Sequence, residues 1–253
     1  MLSAKMKNST SQSSQVKKYK CDRCKDCGFI EVPRNTKQQP LMRVCICQQK
    51  EKIEKQWSSY GVNPKSVKKI ADYETCNDKL LERAKNLALN YVFKIDENKN
   101  WISFLGQSGA GKSHLAKAIG AMLLKKKYEV VYMPYSEIVM ELKRNVMNQD
   151  VYNKILNKFM HAEVLVIDDL FKEKVINGTL VAKLGEADLR HIYPLLNYRY
   201  NNNLRTIISS EATLAMLKNL DEALLGRILE KCGENIVVFE GGKYNHRFKA
   251  LSK

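Results

Sequence analysis

Between residues 101 and 240 the chain alternates short, unbroken apolar runs with longer segments in which apolar positions recur every three or four residues. Ile102–Leu105 is such a run and ends in Gly106; Ser113–Lys127 follows with Leu115, Ala118, Ile119, Met122 and Leu123 at helical spacing. Strand, loop, helix is the expected order. Glu129–Tyr135 reads as a second strand, Ser136 as the cap of a helix reaching about Asn148, and Val151–His161 as a further helix. Val164–Asp168, Thr206–Ser209 and Ile236–Phe239 are three more strands, rich in Val and Ile with little polar alternation. Such runs suit parallel strands covered on both faces, so the pattern predicts an α/β domain with a parallel sheet between helices. No solenoid-length repeat is present.

Ahead of this domain the pattern changes. The first twenty residues are rich in Ser, Gln, Asn and Lys, with five Lys and no acid, and are expected to form a flexible basic arm over residues 1–18. A cysteine-rich segment follows, then a polar connector through Gly61, Asn63 and Pro64. The expected division is an arm at 1–18, a metal-binding module at 19–60, a linker at 61–80 and the α/β domain at 81–253.

Composition sharpens this. With 253 residues, 44% of them hydrophobic, the chain can bury one full core and a small appendage, which excludes general disorder. No stretch of about 18 apolar residues occurs, so no membrane helix is expected. The N-terminal stretch lacks the apolar segment of a secretory signal, and a cytoplasmic location follows as an expectation. The formal charge of +16 is unevenly placed: residues 1–70 hold 16 Lys and Arg against 5 Asp and Glu. A basic surplus suits an acidic partner or nucleic acid. Lys125-Lys126-Lys127-Tyr128 and Asn197-Tyr198-Arg199-Tyr200 mix cations with aromatic rings, as single-strand binders do, although each also suits a plain helix end.

The candidate chemistry begins at Gly106-Gln107-Ser108-Gly109-Ala110-Gly111-Lys112-Ser113, which fits G-x-x-x-x-G-K-[ST] between an expected strand and an expected helix. Its glycines let successive backbone N–H groups turn towards phosphate oxygens, and the helix N-terminus adds partial positive charge. Lys112 is expected at the β- and γ-phosphates of ATP, Ser113 at Mg²⁺, and His114 extends the motif. Val164-Leu165-Val166-Ile167 then delivers Asp168 and Asp169 to a strand's C-terminal edge, where open α/β sheets bind ligands. Asp168 is expected to hold the Mg²⁺ shell and Asp169 to orient or deprotonate the attacking water. Ser210, at the end of the Thr206 strand, is placed to sense the γ-phosphate or, equally, to cap the next helix. Arg227 lies off the apolar face of its helix, either as a surface residue or as one able to enter a neighbouring subunit's site.

Cys21-x₂-Cys24 and Cys45-x-Cys47, separated by a twenty-residue loop marked by Gly28, Pro33 and Pro40, form a workable Cys₄ set for structural Zn²⁺. Cys27 is a fifth candidate, spare thiol or replacement ligand. Cys76 and Cys232 read as packing residues, His114, His161 and His191 lie in expected helices with no metal spacing between them, and His246 is in the C-terminal tail.

Together, GQSGAGKSHLAKAIG, VLVIDDL, TIISSE, GRILEKCGE and CDRCKDCGFIEV…CICQ resemble the DnaC/DnaI-type replicative helicase loaders, over nearly the whole chain from Tyr19. The resemblance implies an AAA+ P-loop ATPase core binding ATP between self-associated subunits, with a zinc module that docks on a hexameric replicative helicase so that single-stranded DNA can enter it. It assigns the arginine-finger role to Arg227 and the strand-end acidic roles to Asp168 and Asp169. Relatives often carry Thr at the position of Cys27, which favours the other four cysteines as ligands. Many carry Ser-Asn where this chain has Ser210-Glu211, and Tyr244-Asn245-His246-Arg247 resembles the short Arg-bearing end of such loaders. An IstB-type transposition helper, which shares the core without the cysteines, and an ATP-switched DNA-binding adaptor are the competing readings.

Overall fold

The computed structural model describes residues 19–32, 41–97, 101–176 and 178–245. The expected basic arm, Pro33, Pro40, His246 and Arg247 lie outside these residues. The chain divides into two compact units, Met1–Gln49 and Lys50–Lys253. In the first, β1 (Phe29–Val32) and β2 (Leu41–Val44) pair antiparallel, Phe29 opposite Val44 and Val32 opposite Leu41. Helix α1 (Ile46–Ser59) begins there and ends in the second unit.

The second unit is built on a parallel sheet. Helix α2 (Lys79–Phe93), capped by the Asp78 carboxylate accepting from Leu80 and Leu81 N–H, leads to β3 (Ile102–Gly106) and α3 (Lys112–Lys125). Then come β4 (Val130–Pro134), α4 (Tyr135–Arg144), α5 (Gln149–Met160) and β5 (Val164–Asp168). A short antiparallel pair, β6 (Val175–Ile176) and β7 (Thr179–Leu180), precedes α6 (Glu186–Asn201). The chain continues through β8 (Arg205–Ser210), α7 (Leu214–Leu220), α8 (Glu222–Cys232) and β9 (Ile236–Phe239). The five long strands lie in the order β4-β5-β8-β3-β9, every pair parallel.

Successive strand residues point to opposite faces, and the two cores follow that alternation. Leu105, Met133, Leu165, Ile167 and Ile208 pack under α4 to α8, while Phe104, Tyr132, Val164, Val166 and Ile207 pack under α2 and α3. The five strands stand where the apolar runs predict them. Helix α4 starts at Tyr135 rather than at a Ser136 cap, because Pro134 occupies the N-cap and the Ser136 hydroxyl donates to Glu173 instead. It stops at Arg144, where the Asn145 amide turns back to the Glu141 carbonyl.

Strand β4 is an edge of the sheet, and α1 covers it. The Gln56 amide accepts from Tyr132 N–H at 3.1 Å and donates to the Tyr132 carbonyl, as a neighbouring strand would. Trp57, fully buried, donates its indole N–H to the Val130 carbonyl at 2.9 Å and packs on the Tyr132 ring. Residues of the expected linker also join this core, Ile70 and Tyr73 being buried in it.

Arg199 is completely buried. It donates to the carbonyls of Phe159, Met160, Ala162 and Arg205 and to the Thr206 hydroxyl, gathering the end of α5 against the start of β8. The expected Asn197–Tyr200 nucleic-acid track therefore loses its arginine to the interior.

Candidate nucleotide site and cysteine cluster

The phosphate loop leaves β3 at Gly106 and enters α3 at Lys112. Gly106 has φ +96°, and a Cβ there would run into the Phe239 carbonyl of β9. Gly111 has φ +79° with the Tyr73 ring against it, so both turns demand glycine. The loop is pinned from outside. Tyr73 donates its hydroxyl to the Ala110 carbonyl at 2.8 Å, the His114 ring bonds the Lys69 carbonyl at 2.9 Å, and the Gln107 amide bonds both Gly242 O and Tyr244 N–H. Lys112, buried to 4% exposure, donates to the Gln107 carbonyl at 2.6 Å.

A cleft beside the loop is lined by Ser108, Gly109, Gly111, Lys112, Ser113, His114, Asp169, Lys172 and Glu211. Asp169, with φ +58°, turns its carboxylate towards α3, where Oδ1 accepts from the Ser113 hydroxyl at 3.4 Å and Oδ2 meets Lys172 at 2.7 Å. Lys172 also lies 3.6 Å from Glu211. Asp168 sits deeper. Its Oδ2 accepts from Lys117 and from the Tyr132 hydroxyl, both at 2.8 Å, and its Oδ1 from the Ser209 hydroxyl at 2.6 Å. Burial alone would raise this carboxyl, but the Lys117 ammonium, with the Ser209 and Ser113 hydroxyls, holds it below the ordinary carboxylate range. Burial and the Asp168 charge push the Tyr132 phenol up, which keeps it a donor.

Ser209 also accepts from Asp169 N–H at 3.0 Å, so one hydroxyl joins both acids. Ser210, for which γ-phosphate sensing and a cap for the next helix were both open, donates to the Leu170 carbonyl and accepts from Ala212 N–H, while Thr213 caps α7. Arg227 lies on α8 with its guanidinium over the Tyr193 and Tyr200 rings at 5.0 and 5.8 Å, and it donates to the Ala223 carbonyl. The structure thus gathers Gly106 to His114, Asp168 and Asp169, and places Ser210 and Arg227 outside the cleft lining. Lys117, Tyr132, Lys172 and Ser209 were not singled out by the sequence; each belongs to the site only through contacts between distant elements.

In the first unit Cys21, Cys24, Cys45 and Cys47 bring their sulfurs within 4.8 Å of one another. Two pairs stand at 3.8 Å (Cys21–Cys45) and 3.4 Å (Cys24–Cys47), and sulfurs bound 2.3 Å from a tetrahedral zinc lie about 3.8 Å apart. Gly28 N–H points at the Cys24 sulfur and Cys45 N–H at the Gly28 carbonyl, a tight turn around the site. At Cys24, burial is outweighed by the Gly28 N–H and neighbouring thiol donors, which bring the thiol down to about 7; Cys47, donating to Cys24, is pushed up. Cys27 is exposed and directs its sulfur to the Phe29 carbonyl. The four-cysteine set fits zinc and Cys27 stands apart from it.

A phosphate loop beside paired strand-end acids, on the carboxyl edge of a parallel sheet, defines a P-loop nucleotide-binding protein. The chain belongs to the IstB-like ATP binding protein family, whose model matches residues 48–252. It is 32% identical over 248 residues to the phage-like element PBSX protein XkdC of Bacillus subtilis, spanning 94% of this chain and 90% of that protein. Bacillus subtilis YqaM is 34% identical over 212 residues, 80% of this chain and 66% of its own. Among solved structures the fold is shared with the DnaC helicase loader (TM-score 0.57, 23% identity, 68% of this chain and 96% of that one). It is shared also with DnaI (0.53, 23%, 70% and 89%) and with DnaA bound to AMPPCP and single-stranded DNA (0.52, 19%, 67% and 49%). Among the described residues no helix is long and apolar enough to cross a membrane.

Proposed function

We propose that the protein is an ATP-dependent loader that places a hexameric replicative helicase on single-stranded DNA. The observation that carries this reading is a zinc-fitting Cys₄ module, residues 21–47, standing ahead of an IstB-like ATPase core that begins at residue 48. A transposition helper is served by the core alone; the added module calls for a protein partner, and the likeness to solved helicase loaders supports a helicase.

In this reading Lys112 leaves the Gln107 carbonyl for the β- and γ-phosphates, and the loop's N–H groups close round the phosphate oxygens. Ser113 and Asp168 offer the oxygen donors that Mg²⁺ prefers, and the ion when bound neutralises charge on the transferring phosphoryl group. Asp169, facing the cleft, orients the attacking water and takes its proton. Arg227 reaches a neighbouring subunit's site after leaving its two tyrosines, so hydrolysis requires self-association. The four cysteines hold their own module together through zinc and take no part in hydrolysis.

The test is retention of the organism's replicative helicase, in the presence of ATP, by the full chain and by a Cys24→Ser/Cys45→Ser variant. Capture by the wild type and its loss in the variant, with ATP affinity preserved in both, is the expected result. Equal capture by both would remove the module from docking, and capture by neither would hand the chain to the transposition or adaptor readings.

A further inference from the structure

The end of β8 is where a polar donor facing the γ-phosphate is expected, yet no donor from β8 itself faces the cleft. Ser209 gives its hydroxyl proton to Asp168, and Ser210 gives its own to the Leu170 carbonyl. The next residue, Glu211, does line the cleft but is acidic, with its side chain only 17% exposed. A carboxylate has no proton to offer a phosphate and repels it. The cleft nevertheless holds a cation at this point. Lys172, three residues after Asp169, lines the same cleft as Lys112 and Ser113, with its ammonium 2.7 Å from Asp169 and 3.6 Å from Glu211. Its side chain is 47% exposed on a flexible four-carbon stem, so it can shift by several ångströms without disturbing the core.

We infer that Lys172, held by Glu211, is the group that reads the γ-phosphate, moving from Asp169 to the nucleotide when ATP rather than ADP is bound. A terminal phosphate beside Ser113 brings negative charge towards Asp169, whose Oδ1 is already at the Ser113 hydroxyl. Mg²⁺ held by Ser113 and Asp168 would offset part of the resulting repulsion when bound, and Lys172, one carboxylate away from Ser113, supplies a second cation on the Asp169 side. The same shift unpairs Asp169 from its ammonium and leaves its oxygen available to a water. Glu211 keeps the lysine at the cleft during the exchange. ADP brings no γ-phosphate, so Lys172 stays on Asp169 and the acid remains occupied.

This inference rests on the reading of the cleft as an ATP site with Asp169 as its base, and the experiment separates the two. Dissociation constants for AMPPNP and ADP, with Mg²⁺ present, are measured for the full-length wild type and for Lys172→Met, Lys172→Arg and Lys112→Ala. Lys172→Met is expected to weaken AMPPNP about tenfold, the scale of one charge-assisted bond, and to leave ADP within about twofold. Lys172→Arg should recover most of the preference for the triphosphate. Equal weakening of both nucleotides by Lys172→Met, or no change in either, would overturn the assignment. Failure of the proposed function looks different: nucleotide affinity indifferent to Lys112→Ala, or a wild type that binds AMPPNP yet never turns over ATP with helicase and DNA present.

Discussion

Two lysines share out the paired acids, and each pairing has its own burial. Asp168, with a 6% exposed side chain, depends on Lys117, at 27%, while Asp169 and Lys172 face solvent. A buried carboxylate stripped of its cation keeps its desolvation cost, so Lys117→Met is expected to destabilise the protein by about 2 kcal/mol in urea unfolding. The companion Lys117→Met/Asp168→Asn should recover part of that loss, because no unpaired charge is left behind. A Lys117→Met midpoint matching the wild type would show that Tyr132 and Ser209 suffice alone. At this scale the sequence was only half legible. Lys112, Ser113 and the two acids announce themselves by spacing, but Ser209 and Ser210 differ by one step in a strand, and a single step decides which face a hydroxyl serves. Lys117 looks like any other helix lysine until β5 is laid beside α3.

Among the elements, the five core strands were readable because each is a mainly apolar run closed by Gly, Pro, Asp, Ser or Glu. Helix α1 was not, since Trp57 is its only buried residue and stands among Lys, Glu and Gln, whereas α2 buries Leu81, Ala84, Ala88, Tyr91 and Val92 at helical spacing, a pattern the sequence does carry. The cysteine module depends on a different bond from the rest. Its two strands are four residues each, and Phe29, Met42 and Val44 remain exposed, so a hydrophobic core cannot hold it. Removing zinc with a chelator is therefore expected to unfold the cysteine module and leave thermal unfolding of the second unit within about 2 °C of its starting value. Scanning calorimetry with and without chelator gives the comparison. A shift of the main transition by many degrees would mean that the second unit draws its stability from the metal.

For the molecule as a whole, acid stability should fall in two stages. His191 is buried with Tyr152 on its Nδ1, and burial, with Lys143 and Arg190 nearby, holds its pKa below the ordinary 6.5 against the opposing pull of Asp188. The unfolded chain takes up that proton more readily, so stability is full above about pH 6.5 and declines as pH falls through the folded-state value. Asp188 is held at about 2, its burial outweighed by Lys174, Lys143 and the Gly185 N–H. Its contribution is full above the ordinary 3.8 and is lost between there and about 2. Urea midpoints across pH should show both limbs in the wild type and only the lower one in His191→Gln; a flat wild-type curve from pH 7 to 5 would refute the first.

The cover that α1 places on β4 has a further consequence for how this chain can be divided. A sheet margin with bare N–H and C=O groups is a template on which a foreign strand can grow, and Gln56 and Trp57 occupy that template here. Cutting the chain after Ser59 would carry away the side chains that keep one copy from pairing with the next. The smallest nucleotide-binding fragment that stays monodisperse must therefore begin before Gln56, inside a helix that the sequence places with the cysteine module.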